Sequence, residues 1–101
     1  MKTFVLTPLA ARDLSEIWNY LAEENIALAD RVLTAIEFGL RKLVRAPGIG
    51  HIREDLASRQ YGFFLVHSYL IVYRRETDPL QVIRVLHASR DVQVLLALAP
   101  E

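Results

Sequence analysis

The stretch RVLHASRD, residues 84–91, brings together side chains of the types that acid–base chemistry uses. A histidine titrates near neutral pH and arginines stabilise a phosphate, so His87 with Arg84 and Arg90 could cleave RNA. The structural alternative is that His87 ends a strand and hydrogen-bonds a backbone group, while Arg90 acts as a cap or pairs with Asp91. We favour this alternative over catalysis and predict a functional binding surface rather than an active site.

Other classes of site are poorly supported by the spacing of the polar residues. Ser89 and Asp91 are too near His87 in sequence to form a Ser-His-Asp triad, and no nucleophile elbow surrounds the serine. His51 and His67 are far from each other and from His87, without the close pairs that metal sites use. The glycine motifs of nucleotide-binding loops are missing as well. We therefore expect no metal and no cofactor.

Length and charge limit the possible functions. The 101 residues suffice for a single domain, 1–101, and the absence of cysteine predicts neither disulfides nor thiolate metal sites. The 12 basic and 12 acidic side chains balance, which argues against direct binding of nucleic acid. The sequence has no apolar run of about 18 residues and no secretory signal, so we expect a cytoplasmic protein.

Basic residues nevertheless dominate residues 41–90. Arg53, Arg59 and Arg74 lie in this part of the chain, and Glu54 among them could act as a base. If the arginines converge in space, they form one basic face, and their planar guanidinium groups suit phosphate or carboxylate partners.

Two helices are predicted after a short N-terminal strand, KTFVL. Thr7 and Pro8 are typical of a helix start, and Asn25 breaks the apolar stripe that follows. The second helix is predicted over about residues 27–46, where a Pro-Gly pair stops it. The short link between the helices predicts an antiparallel helix hairpin.

Gly39 is unusual in the middle of a helix, because glycine there costs roughly 1 kcal/mol relative to alanine. We expect it to allow close packing against the first helix, with Trp18 as its neighbour. Trp18 and Leu21 lie on the apolar stripe of the first helix, where a partner could also dock.

The hydrophobic period changes to two after residue 58. The segments RQYGFFLV, YLIVYRRE and LQVIRVLH predict three strands, joined by turns at His67-Ser68 and at Thr77-Asp78-Pro79. A short amphipathic helix, RDVQVLLALA, is predicted to follow. The fold class is therefore α+β: an N-terminal strand, an antiparallel helix hairpin packed on one face of a curved sheet, a three-stranded antiparallel meander and a short C-terminal helix.

The middle strand is apolar on both of its sides. Because side chains alternate along a strand, Tyr69, Ile71 and Tyr73 share one side and Leu70 and Val72 the other. Only one of these sets can face the helix hairpin. The other belongs to a second buried face or to an apolar surface kept for a partner, and we favour core for most of these residues.

Five segments together cover nearly the whole chain: TPLAARDLSEIWNYLAEEN, ALADRVLTAIE, LVRAPGIGHIREDL, YLIVYR and IRVLHASRD. In this order they resemble the ParE branch of the RelE/ParE toxin superfamily of bacterial type II toxin–antitoxin systems. The closing strand with His-x-x-Arg-Asp is the most specific of them. Such systems are associated with plasmid stabilisation.

The resemblance implies a small toxin that a cognate antitoxin neutralises by wrapping around it. ParE-type members poison DNA gyrase, whereas RelE-type members cut mRNA on the ribosome with basic residues across the sheet and a tyrosine or histidine near the C-terminus. Here Lys2 and Lys42 are the only lysines, and no tyrosine follows Tyr73. We therefore expect a binding toxin rather than an enzyme. The alternatives are a ribosome-dependent endoribonuclease and a degenerate, non-toxic antitoxin-binding module.

The residues that could carry each of these functions are predicted from the sequence itself. If the protein is a nuclease, we expect His87, Arg84 and Arg90 to carry the catalysis. We expect Arg84→Ala or Arg90→Ala to weaken toxicity or antitoxin binding while the fold survives. The residues expected to bind the target or the antitoxin are Trp18, Leu21, Arg53, Arg59, Arg74, Arg84, His87, Arg90 and Asp91.

Overall fold

A computed structural model describes residues 3–50 and 61–89 of the chain. Its elements are β1 (Phe4–Leu6), α1 (Pro8–Ala22), α2 (Ile26–Arg45), a short 3-10 helix (Pro47–Ile49), β2 (Tyr61–Val66), β3 (Tyr69–Arg74) and β4 (Leu80–His87). This order confirms the predicted α+β fold. The predicted C-terminal helix lies outside the described residues.

Both helices begin where the sequence predicts, because side chains satisfy their first amide groups. The Thr7 hydroxyl accepts a hydrogen bond from the Ala10 N–H at 3.1 Å, and Pro8 occupies the first helical position. Asn25, where the apolar stripe of α1 stops, caps α2. Its side-chain oxygen accepts a hydrogen bond from the Leu28 N–H at 3.1 Å. Neither α1 nor α2 is both long and apolar enough to cross a membrane.

The four strands form one sheet in the order β1-β4-β3-β2. Strands β2, β3 and β4 make the predicted antiparallel meander, and the two-residue His67-Ser68 turn joins the first two. The N-terminal strand adds to the far edge, where it runs parallel to β4 with Phe4 opposite Leu80. This pairing joins the two ends of the described chain, and the sequence pattern does not reveal it.

Both faces of the sheet are buried. Tyr69, Ile71 and Tyr73 belong to the core cluster beneath the helices. Leu70 and Val72 belong to a second buried cluster on the opposite face, which confirms that the apolar strands are core on both sides. The other members of this second cluster are Tyr61, Phe63, Ile83 and Leu86.

Gly39 packs against the sheet rather than against α1. A Cβ atom at this position would lie 2.8 Å from Val66 Cγ2 and 3.4 Å from Phe64 Cε2, both on β2. The expected contact with Trp18 is therefore wrong, although close packing is the correct reason for the glycine. Helical periodicity identifies the buried positions of a helix, but it does not identify which neighbour each position meets.

Tyr73 is fully buried at the point where β2, β3 and the 3-10 helix meet. Its hydroxyl donates a hydrogen bond to the Pro47 carbonyl. A Cβ atom added at Gly50 or at Gly62 would lie within 3 Å of the Tyr73 ring or hydroxyl. Burial raises the pKa of Tyr73 above its ordinary value, because the phenolate would lose its hydration.

This buried phenol predicts a loss of stability at alkaline pH. Since the pKa of Tyr73 is higher in the folded chain than in the unfolded chain, its contribution is complete below about pH 10 and is lost as the pH rises through the folded-state value. Urea unfolding from about pH 8 to about pH 11 measures the effect. Tyr73→Phe is expected to give a shallower alkaline decline, and an unchanged slope would contradict the assignment.

Candidate functional site

Arg84 is bound to helix α1. Its Nε lies 2.7 Å from Asp13 Oδ2 and its Nη2 lies 2.9 Å from Asp13 Oδ1, so the two groups meet in a bidentate ion pair. The Arg84 and Asp13 side chains are only 13% and 8% exposed. Hydrogen bonding to Asp13 raises the pKa of Arg84, which keeps the guanidinium charged. Arg84 therefore has a structural partner within the fold.

Helix α1 also closes the edge of β4 beyond the end of β1. Asp13 Oδ2 accepts a hydrogen bond from the Val85 N–H at 3.0 Å, and the Thr7 hydroxyl donates to the Ile83 carbonyl at 2.8 Å. These side chains occupy the positions where a longer β1 would have supplied backbone groups. The buried carboxylate of Asp13 thus joins the helix, the strand and Arg84 at one point.

His87 lies exposed at the end of β4 and is oriented by local contacts. Its Nδ1 accepts a hydrogen bond from the Ser89 N–H at 3.1 Å and lies 2.7 Å from Ser89 Oγ. The Tyr69 ring meets the imidazole edge-on, with 5.4 Å between the ring centres. Because Nδ1 accepts, the neutral ring carries its proton on Nε2. These contacts match the structural alternative predicted for His87.

The basic residues proposed for the functional site lie apart from one another in the described part of the chain. Arg74 is opposite Gln81 at one end of the sheet, whereas Tyr69 is opposite His87 at the other. At a rise of about 3.3 Å per residue the two ends of β3 are roughly 17 Å apart. The Arg74 guanidinium lies 5.9 Å from the centre of the Tyr61 ring. Arg74 and His87 therefore lie at opposite ends of β3, and Arg84, opposite Val72 between them, is paired with Asp13.

Trp18 and Leu21 lie half-buried on α1. The Trp18 Nε1–H donates to Asp30 Oδ1 at 2.9 Å and so ties α1 to α2. Leu21 packs against the helix-side core. Each leaves part of its surface open, which is compatible with the predicted contact to a partner.

The remaining candidates, Arg53, Arg59, Arg90 and Asp91, lie outside the described residues, as does Glu54. Their expected roles stay predictions. Within residues 3–50 and 61–89, no three histidine, aspartate or glutamate side chains are grouped so that they could hold a metal ion.

An open depression of about 490 Å³ lies between α2 and β2, and we refer to it as the α2–β2 groove. Phe38 and Leu65 in its walls are 64% and 56% exposed, so two large apolar side chains are open to solvent in one groove. Sequence analysis missed this groove, although Phe38, a large aromatic outside the apolar stripe of α2, was an available signal. Its main lining residues are Arg31, Phe38, Lys42, Phe64, Leu65 and Val66.

A second depression, of about 350 Å³, lies on the other side of α2 beside β1, and we refer to it as the α2–β1 groove. Its charged lining residues are Asp30 and Glu37. Both already have partners, because Asp30 accepts from Trp18 and Glu37 pairs with Arg41. The charged residues that line the two grooves thus differ in sign, basic in the α2–β2 groove and acidic in the α2–β1 groove.

Comparison with known proteins places this fold among bacterial toxins. Residues 4–92 match the family described as the ParE toxin of type II toxin-antitoxin system, parDE. The chain is 27% identical over 88 residues to Toxin RelE3 of Caulobacter vibrioides, which covers 87% of this chain and 96% of that protein.

A solved structure of the chromosomal ParDE TA system from P. aeruginosa has a similar fold. The TM-score is 0.69 at 18% sequence identity, and the similarity covers 86% of this chain and 96% of that chain. The family match runs from the first residue of β1 to beyond the end of β4. The chain belongs to the ParE toxin family of type II toxin–antitoxin systems.

Proposed function

We propose that this toxin is held inactive in the cytoplasm by a cognate antitoxin and that, when free, it binds and poisons DNA gyrase. The observation that carries the proposal is the match to the ParE toxin family over residues 4–92. The similarity to a chain of a ParDE system supports a protein partner, because that name pairs a toxin with a second component.

The contacts of the described site residues support a binding toxin over a nuclease. Cleavage of RNA needs an acid–base pair and a cation that is free to meet the phosphate. Arg84 contacts Asp13 instead, and the Nδ1 of His87 is engaged with Ser89. A surface that recognises a protein target has no such requirement.

Inducible expression of the chain alone tests the proposal in cells. We expect growth arrest with a DNA-damage response while protein synthesis continues over the same minutes. Co-expression of the antitoxin is expected to restore growth. Expression without any growth inhibition would support a degenerate, non-toxic antitoxin-binding module instead.

Purified gyrase tests the target directly. The free toxin is expected to inhibit supercoiling or to stabilise a cleavage complex between gyrase and DNA. The toxin–antitoxin complex is the control and should leave gyrase active. A growth-inhibitory toxin with no effect on gyrase in either assay would remove gyrase as the target.

A ribosome-dependent endoribonuclease is the second candidate, because the curated relative carries the name Toxin RelE3. His87 also remains exposed, and its protonated Nε2 is directed away from the Ser89 contact. Immediate collapse of translation and discrete new 5′ ends on translated mRNA would support this candidate.

The variant His87→Ala separates the two candidates. A gyrase-binding toxin is expected to lose no more than the part of its growth arrest that a surface contact of His87 contributes, and to leave translated mRNA uncut, because His87 supplies no chemistry there. A nuclease that uses His87 as its acid or base would lose about 100-fold or more in rate. Growth curves and primer extension on the same cultures, at matched toxin levels, measure the difference.

A further inference from the structure

We propose that the end of the helix hairpin and the adjacent end of β4 form the surface with which the toxin binds a basic patch on its target protein. We call it the hairpin-end surface, and its residues are Tyr20, Glu23, Glu24, Ile26 and His87. The proposal rests on the proposed function, which identifies the target as DNA gyrase. It specifies which surface of the toxin the target meets and what chemistry the target presents there.

Helix α1 runs along β4 towards the end of the sheet where β4 stops. Thr7 at the start of the helix donates a hydrogen bond to the Ile83 carbonyl, and Asp13 accepts one from the Val85 N–H. Tyr20 lies about two turns of helix beyond Asp13, which is roughly 10 Å further along. The end of the helix hairpin and the end of β4 therefore lie at the same end of the molecule.

Tyr69 connects these two parts of the surface. Its ring meets the His87 imidazole edge-on, with 5.4 Å between the ring centres. Burial, and then the negative charge of an ionised Tyr20, raise the pKa of Tyr69. Tyr20 therefore lies close to Tyr69, and α1 and β4 contribute to one surface.

The hairpin end exposes two large apolar side chains. Tyr20 is 71% and Ile26 61% exposed, and Tyr20 is the most exposed large hydrophobic residue in the described part of the chain. They lie on either side of the three-residue link between α1 and α2. Neither packs against the helix-side core, so both are open to a partner. Tyrosine is also one of the residue types that most often anchor protein interfaces.

The link between the helices is acidic. Glu23 and Glu24 are both exposed, and neither forms an ion pair with another described residue. Carboxylates beside an aromatic ring suit arginine, because its guanidinium group binds a carboxylate through two hydrogen bonds and stacks on a ring face. The hairpin-end surface therefore favours a basic protein partner.

An enzyme that acts on DNA has such a basic surface. Proteins that hold DNA neutralise its phosphates with lysine and arginine, so a topoisomerase must display these side chains. Nucleic acid itself is disfavoured at the hairpin end, because carboxylates repel phosphates. The α2–β2 groove would repel the same partner, since Arg31 and Lys42 line it. Charge therefore favours contact between the target and the hairpin-end surface.

Growth arrest and gyrase inhibition by variants of this surface test the proposal. The two readouts are the rate of growth arrest at matched toxin levels and the toxin concentration that halves supercoiling by purified gyrase. Tyr20→Ala is expected to raise this concentration by about 30-fold, as for an aromatic anchor at an interface, and to slow growth arrest. Glu23→Lys is expected to raise it by about 10-fold, with a reduced dependence on salt.

Each variant has a matched control at the other end of the molecule. Ile49→Ala removes an exposed apolar side chain that α2 separates from the hairpin end by roughly 30 Å. Glu76→Lys makes the same charge reversal at an exposed position beyond the end of β3. Both controls should inhibit gyrase within about two-fold of the wild type. Unchanged circular dichroism for all four variants shows that the fold is intact.

The outcomes separate the surface from the proposed function. If the wild type inhibits gyrase and Tyr20→Ala does so equally well, the hairpin-end surface is overturned and the proposed function stands. If the wild type arrests growth without affecting gyrase, gyrase falls as the target. Slower growth arrest by Tyr20→Ala and Glu23→Lys then supports the surface, and equal arrest overturns it. If the wild type neither arrests growth nor inhibits gyrase, both proposals fall.

Two further results would assign the surface to another occupant. The first is loss of binding between Tyr20→Ala and the purified protein encoded by the reading frame beside the toxin gene, which would assign the surface to the antitoxin. The second is a dimer of this chain that Tyr20→Ala dissociates, which would assign it to a second copy. Either result would overturn the proposal, and we expect neither.

Discussion

Asp13→Ala is expected to destabilise the protein by about 3–5 kcal/mol, the usual effect of removing one partner from a buried ion pair. Arg84 would remain mostly buried without its counter-charge, and the Val85 N–H would lose its acceptor. Urea unfolding followed by circular dichroism measures the loss. A destabilisation below about 1 kcal/mol would show that water replaces the Asp13 carboxylate as the partner of Arg84 and of the Val85 N–H.

The exposed pair between Glu37 and Arg41 provides the matched control. Its atoms are 2.9 Å apart, but the Arg41 and Glu37 side chains are 67% and 54% exposed. Glu37→Ala is therefore expected to cost only about 0.3–0.5 kcal/mol. A similar cost for Asp13→Ala and Glu37→Ala would contradict the structural role assigned to the buried pair.

The same reasoning revises the expectation for Arg84→Ala. The sequence predicted that this variant would weaken function while the fold survives. In the structure Asp13 would become a buried carboxylate held only by the Val85 N–H, so the fold itself is expected to lose stability. Any loss of toxicity in Arg84→Ala must therefore be compared with Asp13→Ala at matched folded concentration.

Gly62→Ala is expected to destabilise the protein by about 3 kcal/mol through overpacking. The new Cβ would lie 2.4 Å from Cζ and 2.6 Å from the hydroxyl oxygen of Tyr73. This ring is fully buried and its hydroxyl is bound to Pro47, so it cannot move aside without losing that hydrogen bond. Thermal unfolding of the purified variant measures the effect.

Gly48→Ala is the control for Gly62→Ala. A Cβ at Gly48 meets no atom within 4 Å, so the change is expected to stay within about 0.5 kcal/mol of the wild type. A large loss of stability in both variants would mean that replacing glycine restricts the backbone, and that contact with Tyr73 is not the cause of the destabilisation.

Local features of this fold could be predicted from the sequence because they depend on neighbouring residues. Thr7 and Asn25 cap the helices that follow them, and the His67-Ser68 turn forms within its own hairpin. The burial of both faces of β3 likewise follows from its continuous apolar run. Each of these signals lies within about ten residues of the structure that it specifies.

Contacts between distant parts of the chain could not be predicted in this way. The sequence marks Arg84 as a cation and Asp13 as part of an acidic region, but it does not show that they meet. Gly39 was correctly associated with close packing and given the wrong neighbour. The candidate site was expected around Arg84 and His87, whereas the α2–β2 groove depends on how α2 is placed against the sheet.

The parallel pairing of β1 with β4 has a consequence for synthesis of the toxin. β1 is translated long before its partner residues, Leu80–Val82. Contacts so distant in sequence form late and slowly. Until β4 has left the ribosome, the nascent chain has neither the complete four-stranded sheet nor the Asp13–Arg84 ion pair. The cell therefore meets a folded toxin only after β4 has been translated.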